Sequence, residues 1–121
     1  MNEPFESIIC IVNRGFTDLV MTAARQAGAR GGTVISARGT GSPDVEKFFG
    51  VAVTPEKEIV IILVPRSIRD KVLLAVNEGA GMDTKGQGIA FAIPVSDTVG
   101  LQSPDPEDNE TSADGQKADE E

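Results

Sequence analysis

Apolar and polar positions divide the chain into six segments. Phe5 to Val12 carries the β-prone run Ile8-Ile9-Cys10-Ile11-Val12 and predicts a first strand. Phe16, Leu19, Val20, Ala23, Ala24 and Ala27 then recur at three- and four-residue spacing, which predicts an amphipathic helix. Gly28 suits the end of that helix because it adopts the left-handed conformation without strain, and Arg25 in the last turn complements the helix dipole. Gly32 to Arg38 predicts the second strand and Glu58 to Val64 the third. Ile59-Val60-Ile61-Ile62-Leu63-Val64 is apolar without interruption, as expected of a strand buried on both faces or placed at a subunit interface. Ser67 and Asp70 have the spacing of a capping box, with Asp in place of Glu, and open a second helix striped by Ile68, Val72, Ala75 and Val76. Gly79 and Gly81 close it, and Ile89 to Val95 predicts the fourth strand, with Pro94 near its end where a missing N–H costs least.

The order β-α-β-β-α-β within about 100 residues is the split βαβ pattern of the ferredoxin-like fold. The expected class is α+β, with a four-stranded antiparallel sheet and two helices on one face. That scaffold serves many unrelated functions, so function must be argued from particular residues.

Composition adds a boundary. Of 121 residues, the last twenty contain no apolar side chain larger than Ala, and eight acidic residues between Asp105 and Glu121 face Lys117 alone. Residues 1–101 are expected to form the folded domain and 102–121 an acidic disordered tail whose role is solubility, because such a segment cannot offset its ordering entropy. The chain's net charge is −8 and the tail supplies most of it, which leaves the domain nearly neutral. An acidic chain lacks the basic face that nucleic acid requires. RNA binding on the sheet is excluded further by the absence of Tyr and Trp; of five Phe residues, Phe48 and Phe49 fall between strands. A domain this small gains from oligomerisation.

The chemistry is narrowed by what is missing. There is no histidine, which removes the usual partner of a Ser or Cys nucleophile and the commonest zinc ligand, and Cys10 is a lone cysteine within an apolar strand. No enzyme activity is expected. No segment has the form of a signal peptide or approaches 18 apolar residues, so a cytoplasmic protein without membrane insertion is expected.

What remains is glycine. Thr33-Val34-Ile35-Ser36-Ala37-Arg38 opens into Gly39-Thr40-Gly41, where backbone N–H groups can approach a phosphate and Arg38 can add charge-assisted bonds. Most Gly-x-Gly loops are only tight turns, but Gly86-Gln87-Gly88 leads into a second apolar run, and two such loops could line one cleft.

Gly31-x-Thr33-Val34-x-x-x-Arg38-Gly39-x-Gly41, the long connection between the second and third strands, and Gly86-Gln87-Gly88-Ile89-x-Phe91 together resemble the PII signal-transduction family, over roughly Ser7 to Val95. The resemblance implies a homotrimer with adenine nucleotides in clefts between neighbours. It also implies an effector loop between the second and third strands that engages partners, often membrane transporters or metabolic enzymes. Carried over by position, Thr33, Gly39, Gly41, Gly86 and Gly88 would contact nucleotide, Ile11 and Ile61 would line the adenine side, and Arg38 would add a phosphate contact. Gln87 stands within the second glycine element where the family has Asp, and Ile89 where it has a phosphate-binding Lys. An Arg-x-Arg pair expected after the last strand is missing from Ser96 to Leu101. Each lost cation removes a charge-assisted bond worth about 1.5–3 kcal/mol. AMP, ADP or a cyclic nucleotide is therefore expected ahead of tightly bound ATP, with no metal.

The connection Thr40 to Lys57 is shorter than the family's loop and has no tyrosine to be uridylylated. Within it Asp44, Glu46, Lys47, Phe48 and Phe49 form either a strand extension or an effector-docking loop with aromatic anchors. A second function stays open: a ferredoxin-like trimer of the divalent-cation-tolerance type, with Asp44, Glu46, Glu56 and Glu58 as hard-metal ligands. A small lyase or isomerase using Asp83 or Asp97 has no spacing argument behind it. Arg66, Arg69 and Lys71 read as a solvated face.

Overall fold

Alternation along one central strand decides where everything else goes. In the computed structural model, which describes residues 3–40, 50, 55–83 and 87–101, β1 (Phe5–Asn13) buries Ile8, Cys10 and Val12 on one side. It leaves Ser7, Ile9 and Ile11 on the other. The chain continues through α1 (Thr17–Gln26), β2 (Thr33–Arg38), β3 (Glu56–Pro65), a 3-10 turn (Arg66–Ile68), α2 (Arg69–Gly79) and β4 (Gly88–Val95). All strand pairs are antiparallel and the sheet order is β2-β3-β1-β4. This is the expected ferredoxin-like arrangement.

The core lies between the sheet and the two helices. Val60, Ile62 and Val64 of β3 join Ile8, Cys10 and Val12 beneath Val20 and Ala24 of α1 and Val72 and Val76 of α2. Each fully buried Ile or Val stabilises by about 1.5–3 kcal/mol. Burial pushes the Cys10 thiol up to about 11, so it stays protonated and packs as a small apolar group.

The end of α1 follows from its sequence. Gly28 has φ +112°, its N–H donates to the Arg25 carbonyl at 3.0 Å, and the Ala29 N–H donates to that of Ala24 at 3.0 Å. These two bonds form a Schellman motif.

Four local expectations differ from the structure. Leu19, expected on the buried stripe, is 48% exposed, and Met21 is buried in its stead. The reason is Gly32: a Cβ there would lie 3.1 Å from Met21 Sδ, so its absence opens room for that side chain beneath α1. The capping box at Ser67 and Asp70 does not form. Ile68 is the residue preceding α2, no side chain caps the helix, and Asp70 accepts from Arg69 Nε at 3.0 Å. Arg66 and Arg69 are not merely solvated. Both turn to Glu6, which is 2% exposed: Arg66 Nε donates to Glu6 Oε2 at 2.9 Å, and Arg69 Nη1 lies 3.4 Å from the same oxygen. A buried carboxylate requires such partners, and this one fixes the start of α2 to β1. β3 also begins earlier than expected, at Glu56 rather than Glu58.

That extension builds the neck of the β2–β3 connection. The Gly39 N–H donates to the Pro55 carbonyl at 2.9 Å, the Arg14 N–H to that of Glu56 at 3.3 Å, and the Arg14 and Glu56 side chains pair. Glu58 accepts from Thr17 Oγ1 at 2.7 Å and from the Gly15 N–H at 3.2 Å, and the Thr17 bond is the main cause holding its carboxyl below the ordinary glutamate range.

β4 begins at a position that tolerates only glycine. Gly88 has φ +153°, and a Cβ there would stand 2.4 Å from the Ile11 carbonyl oxygen. At Gly39 a Cβ would meet only the flexible Lys57 side chain, at 3.3 Å.

Gly88→Ala is expected to cost about 2–4 kcal/mol in urea unfolding followed by circular dichroism, whereas Gly39→Ala should stay within about 1 kcal/mol of the parent. For Glu58 the folded carboxyl is the stronger acid, so its contribution is complete above the ordinary glutamate value of about 4.3 and disappears as pH falls through the lower folded value. Thr17→Val should therefore melt below the parent at neutral pH, with the gap closing in acid; a gap that persisted unchanged at pH of about 2 would contradict this role.

Candidate functional site

The sheet face turned away from the helices is built of cross-strand rows. Ile35, Ile59, Ile11 and Ile89 form one, by the pairings Ile35↔Ile59, Ile59↔Ile11 and Ile11↔Ile89. Thr33, Ile61, Ile9 and Phe91 form the next, and Leu63, Ser7 and Ile93 a third. Ile35, Leu63, Ile89, Phe91 and Ile93 are all exposed, a contiguous apolar surface of the kind that marks an interface. The unbroken apolar run of β3 is thereby explained: its even positions enter the core and its odd positions join this open face.

At the β2 edge of the face a cleft of ≈ 300 Å³ is lined by Phe5, the residues from Gly28 to Thr33, Ile61, Leu63, Pro65 and Leu101. The expected ligand residues Thr33 and Ile61 are brought together here as a directly opposed pair. Its volume is at the lower end of the range of about 300–1,000 Å³ typical of small-molecule pockets. Leu101 was not foreseen as part of it; the only signal was an isolated large apolar residue after the last strand.

The remaining predicted residues lie elsewhere. Ile11 is on the open face, between β3 and β4. Arg38 ends β2 about 17 Å from Thr33 at the usual rise per residue. It stands opposite Glu56 in a cleft shared with Arg14, Ser36, Lys57 and Glu58, and no ion pair joins it to another described residue. Gly39 and Gly88 both lie toward that end of the sheet, about 17 Å apart, because two strands intervene and Gly39 stands three residues beyond the row of Ser36, Glu58, Val12 and Gly88. Gln87 turns inward: its Nε2 donates to the Ala80 carbonyl at 3.0 Å, tying the approach to β4 to the end of α2. Lys57, at the rim of the open face, donates from Nζ to Asn13 Oδ1 at 2.7 Å. Gly41, Gly86, Asp44, Glu46, Lys47, Phe48 and Phe49, and the tail 102–121, lie outside the described residues.

Among the described residues the acidic side chains form no metal centre, and Asp44 and Glu46 lie outside them. Glu56 is drawn to Arg14 and Glu58 to Thr17 and Gly15, and no group of three His, Cys, Asp or Glu side chains among the described residues could hold an ion. No helix among the described residues is long and apolar enough to cross a membrane.

Comparison with known proteins bears on this arrangement. A family model described as nitrogen regulatory protein P-II matches residues 5–104. No curated protein matches. Among solved structures, the crystal structure of Arabidopsis thaliana PII bound to citrate aligns with a TM-score of 0.60 and 28% sequence identity, over 81% of this chain and 81% of that one. With the match extending from the first strand past the last, the chain belongs to the nitrogen regulatory protein P-II family of signal-transduction regulators.

Proposed function

We propose that this protein is a homotrimeric regulator, not an enzyme, which binds an adenine nucleotide in clefts between subunits and passes the bound state to a partner through the connection at residues 40–57. The observation that carries the proposal is the division of the site. Thr33 and Ile61 line a cleft at one end of β2, while Gly39 and Gly88 sit at the other end of the sheet, so no single subunit surrounds a nucleotide. A second copy packed on the apolar open face brings its own glycine elements toward the first copy's cleft. Burial of that face supplies the association energy, at about 25 cal/mol per Å² of apolar surface removed from water.

The ligand is AMP, ADP or a cyclic nucleotide ahead of ATP. Ile89, 57% exposed beside Ile11, presents an apolar side chain where a lysine would neutralise phosphate. Lys57 already bonds Asn13, which leaves Arg38 as the cation at the glycine end among the described residues. Gly41 and Gly86 complete the phosphate contacts, with Gln87 positioning the second loop. The citrate in the Arabidopsis protein supports a small anionic ligand for the fold. The partner is a membrane transport protein or a metabolic enzyme, met in the cytoplasm and engaged by Asp44, Glu46, Lys47, Phe48 and Phe49. Nucleic acid is not a partner: Phe91 is the one exposed aromatic of the open face among the described residues, and the chain is acidic.

Sedimentation velocity and calorimetric titration with AMP, ADP, ATP and cyclic AMP test the proposal together. A trimer with one nucleotide site per subunit is expected. Thr33→Arg should keep the trimer and weaken binding at least about tenfold, and Ile9→Asp should dissociate the trimer and abolish binding. A monomeric protein, or a trimer that binds none of the four at millimolar concentration, would overturn it.

A further inference from the structure

We propose that a cleft at the end of the sheet opposite the glycine elements is a second ligand site, which takes a small zwitterion of the α-amino acid class. β1 begins there and β3 and β4 end there: Phe5 stands opposite Pro65 on one side and Val95 on the other. The Arg66 N–H donates to the Pro4 carbonyl at 2.9 Å, which fixes one wall. Ser96, Asp97 and Thr98 run on from β4 along the other, and Glu3 completes the lining of a cleft of ≈ 480 Å³. That volume falls in the range of about 300–1,000 Å³ usual for small-molecule sites. Thr33, Ile61, Gly39 and Gly88 take no part in the lining, so the inference does not rest on the nucleotide site proposed above.

The polar groups of the cleft define its ligand. Arg66 gives its Nε to Glu6 Oε2 at 2.9 Å, which holds the guanidinium in place, and its two Nη groups carry no bond to a described residue. A guanidinium anchored in this way presents a fork suited to a carboxylate. Glu3 and Asp97 pair with no cation among the described residues. An ammonium group, with three N–H donors, suits these two carboxylates and the Ser96 hydroxyl. In the same lining, Thr98 Oγ1 is the one buried side-chain polar atom without a hydrogen-bond partner among the described residues. Such hydroxyls are rare in folded proteins, and a polar ligand in this cleft supplies a reason for one here. A simple anion would enter against two carboxylates, and a simple cation against Arg66. A molecule with one charge of each sign meets an opposite charge for both. Pro4, Phe5, Pro94 and Val95 form the apolar part of the lining, which favours an aliphatic or aromatic side chain over a polar one.

Calorimetric titration of the full chain with matched sets of compounds tests the site. Each set holds an amino acid, its decarboxylated amine and its deaminated acid: valine, isobutylamine and isovalerate; leucine, isopentylamine and 4-methylpentanoate; phenylalanine, phenethylamine and 3-phenylpropionate. At least one amino acid is expected to bind with Kd below about 1 mM, at least about tenfold more tightly than its own amine and acid. Asp97→Asn, at an exposed position, keeps the size of the side chain and removes its charge. It should weaken that amino acid at least about tenfold and keep the melting temperature within about 4 °C of the parent. Arg66→Lys keeps a cation beside Glu6 and removes the fork, and should weaken binding to a similar degree. Thr33→Arg lies outside the lining and should leave amino-acid affinity unchanged. Four results would each overturn the site: no binding of the three amino acids at about 10 mM, an amine or acid that binds as tightly as its amino acid, parent affinity in both Asp97→Asn and Arg66→Lys, or loss of amino-acid binding in Thr33→Arg.

Discussion

The nine-residue antiparallel ladder between β1 and β3 is the constraint on which the other elements depend. Its even positions are closed over by two helices and form the core; its odd positions are equally apolar and have no helix over them. Two apolar faces on one ladder cannot both be satisfied within a domain of this size. The helices settle one of them, held by a Schellman turn at Gly28 and by the clasp of Arg66 and Arg69 on buried Glu6. The other stays open, and the proposed trimer would cover it. The β2 and β4 edge strands extend the same unsatisfied face, so the need for a partner is distributed across the whole sheet.

That need accounts for the geometry of the site. The residues with ligand character are spread to opposite ends and edges of the open face, and the described cleft is small for a nucleotide. In the proposed trimer, assembly would complete the site and cover the face in one step, which would couple ligand binding to subunit contacts. The neck of the β2–β3 connection, tied by Gly39 to Pro55 and by Arg14 to Glu56, rises from the same end of the sheet as Gly88. A ligand that contacts the glycine elements thus also contacts the root of the segment proposed to meet the partner.

Much of the fold was legible because it rests on local signals. The strand order, the helix end at Gly28 and the Val72 and Val76 stripe depend on spacing within a few residues. The exceptions all have long-range causes. Leu19 yields its place to Met21 because Gly32, eleven residues after Met21, leaves space under α1. The capping box fails where arginines near α2 are drawn to Glu6, some sixty residues earlier. Of the candidate site, Thr33 and Ile61, expected through family resemblance, share a cleft, but the pairing of Leu101 with them depends on the path of the chain after β4, which no spacing encodes. Gly88 was legible as a glycine but for an incomplete reason: its approach to the Ile11 carbonyl demands glycine whether or not a ligand is present.

The central claim is that the binding site is shared between subunits, and subunit mixing tests it most directly. Thr33→Arg blocks the cleft side and Gly39→Val the glycine side, and neither replacement meets rigid neighbours within its own chain. If each binding site takes Thr33 from one subunit and Gly39 from another, each variant alone will bind nucleotide at least about tenfold more weakly than the parent, and trimers co-assembled from both will regain a fraction of sites with parent affinity by calorimetric titration. Failure of mixed trimers to regain any site of parent affinity, while unmixed parent trimers bind fully, would place the whole site within one subunit and contradict the account.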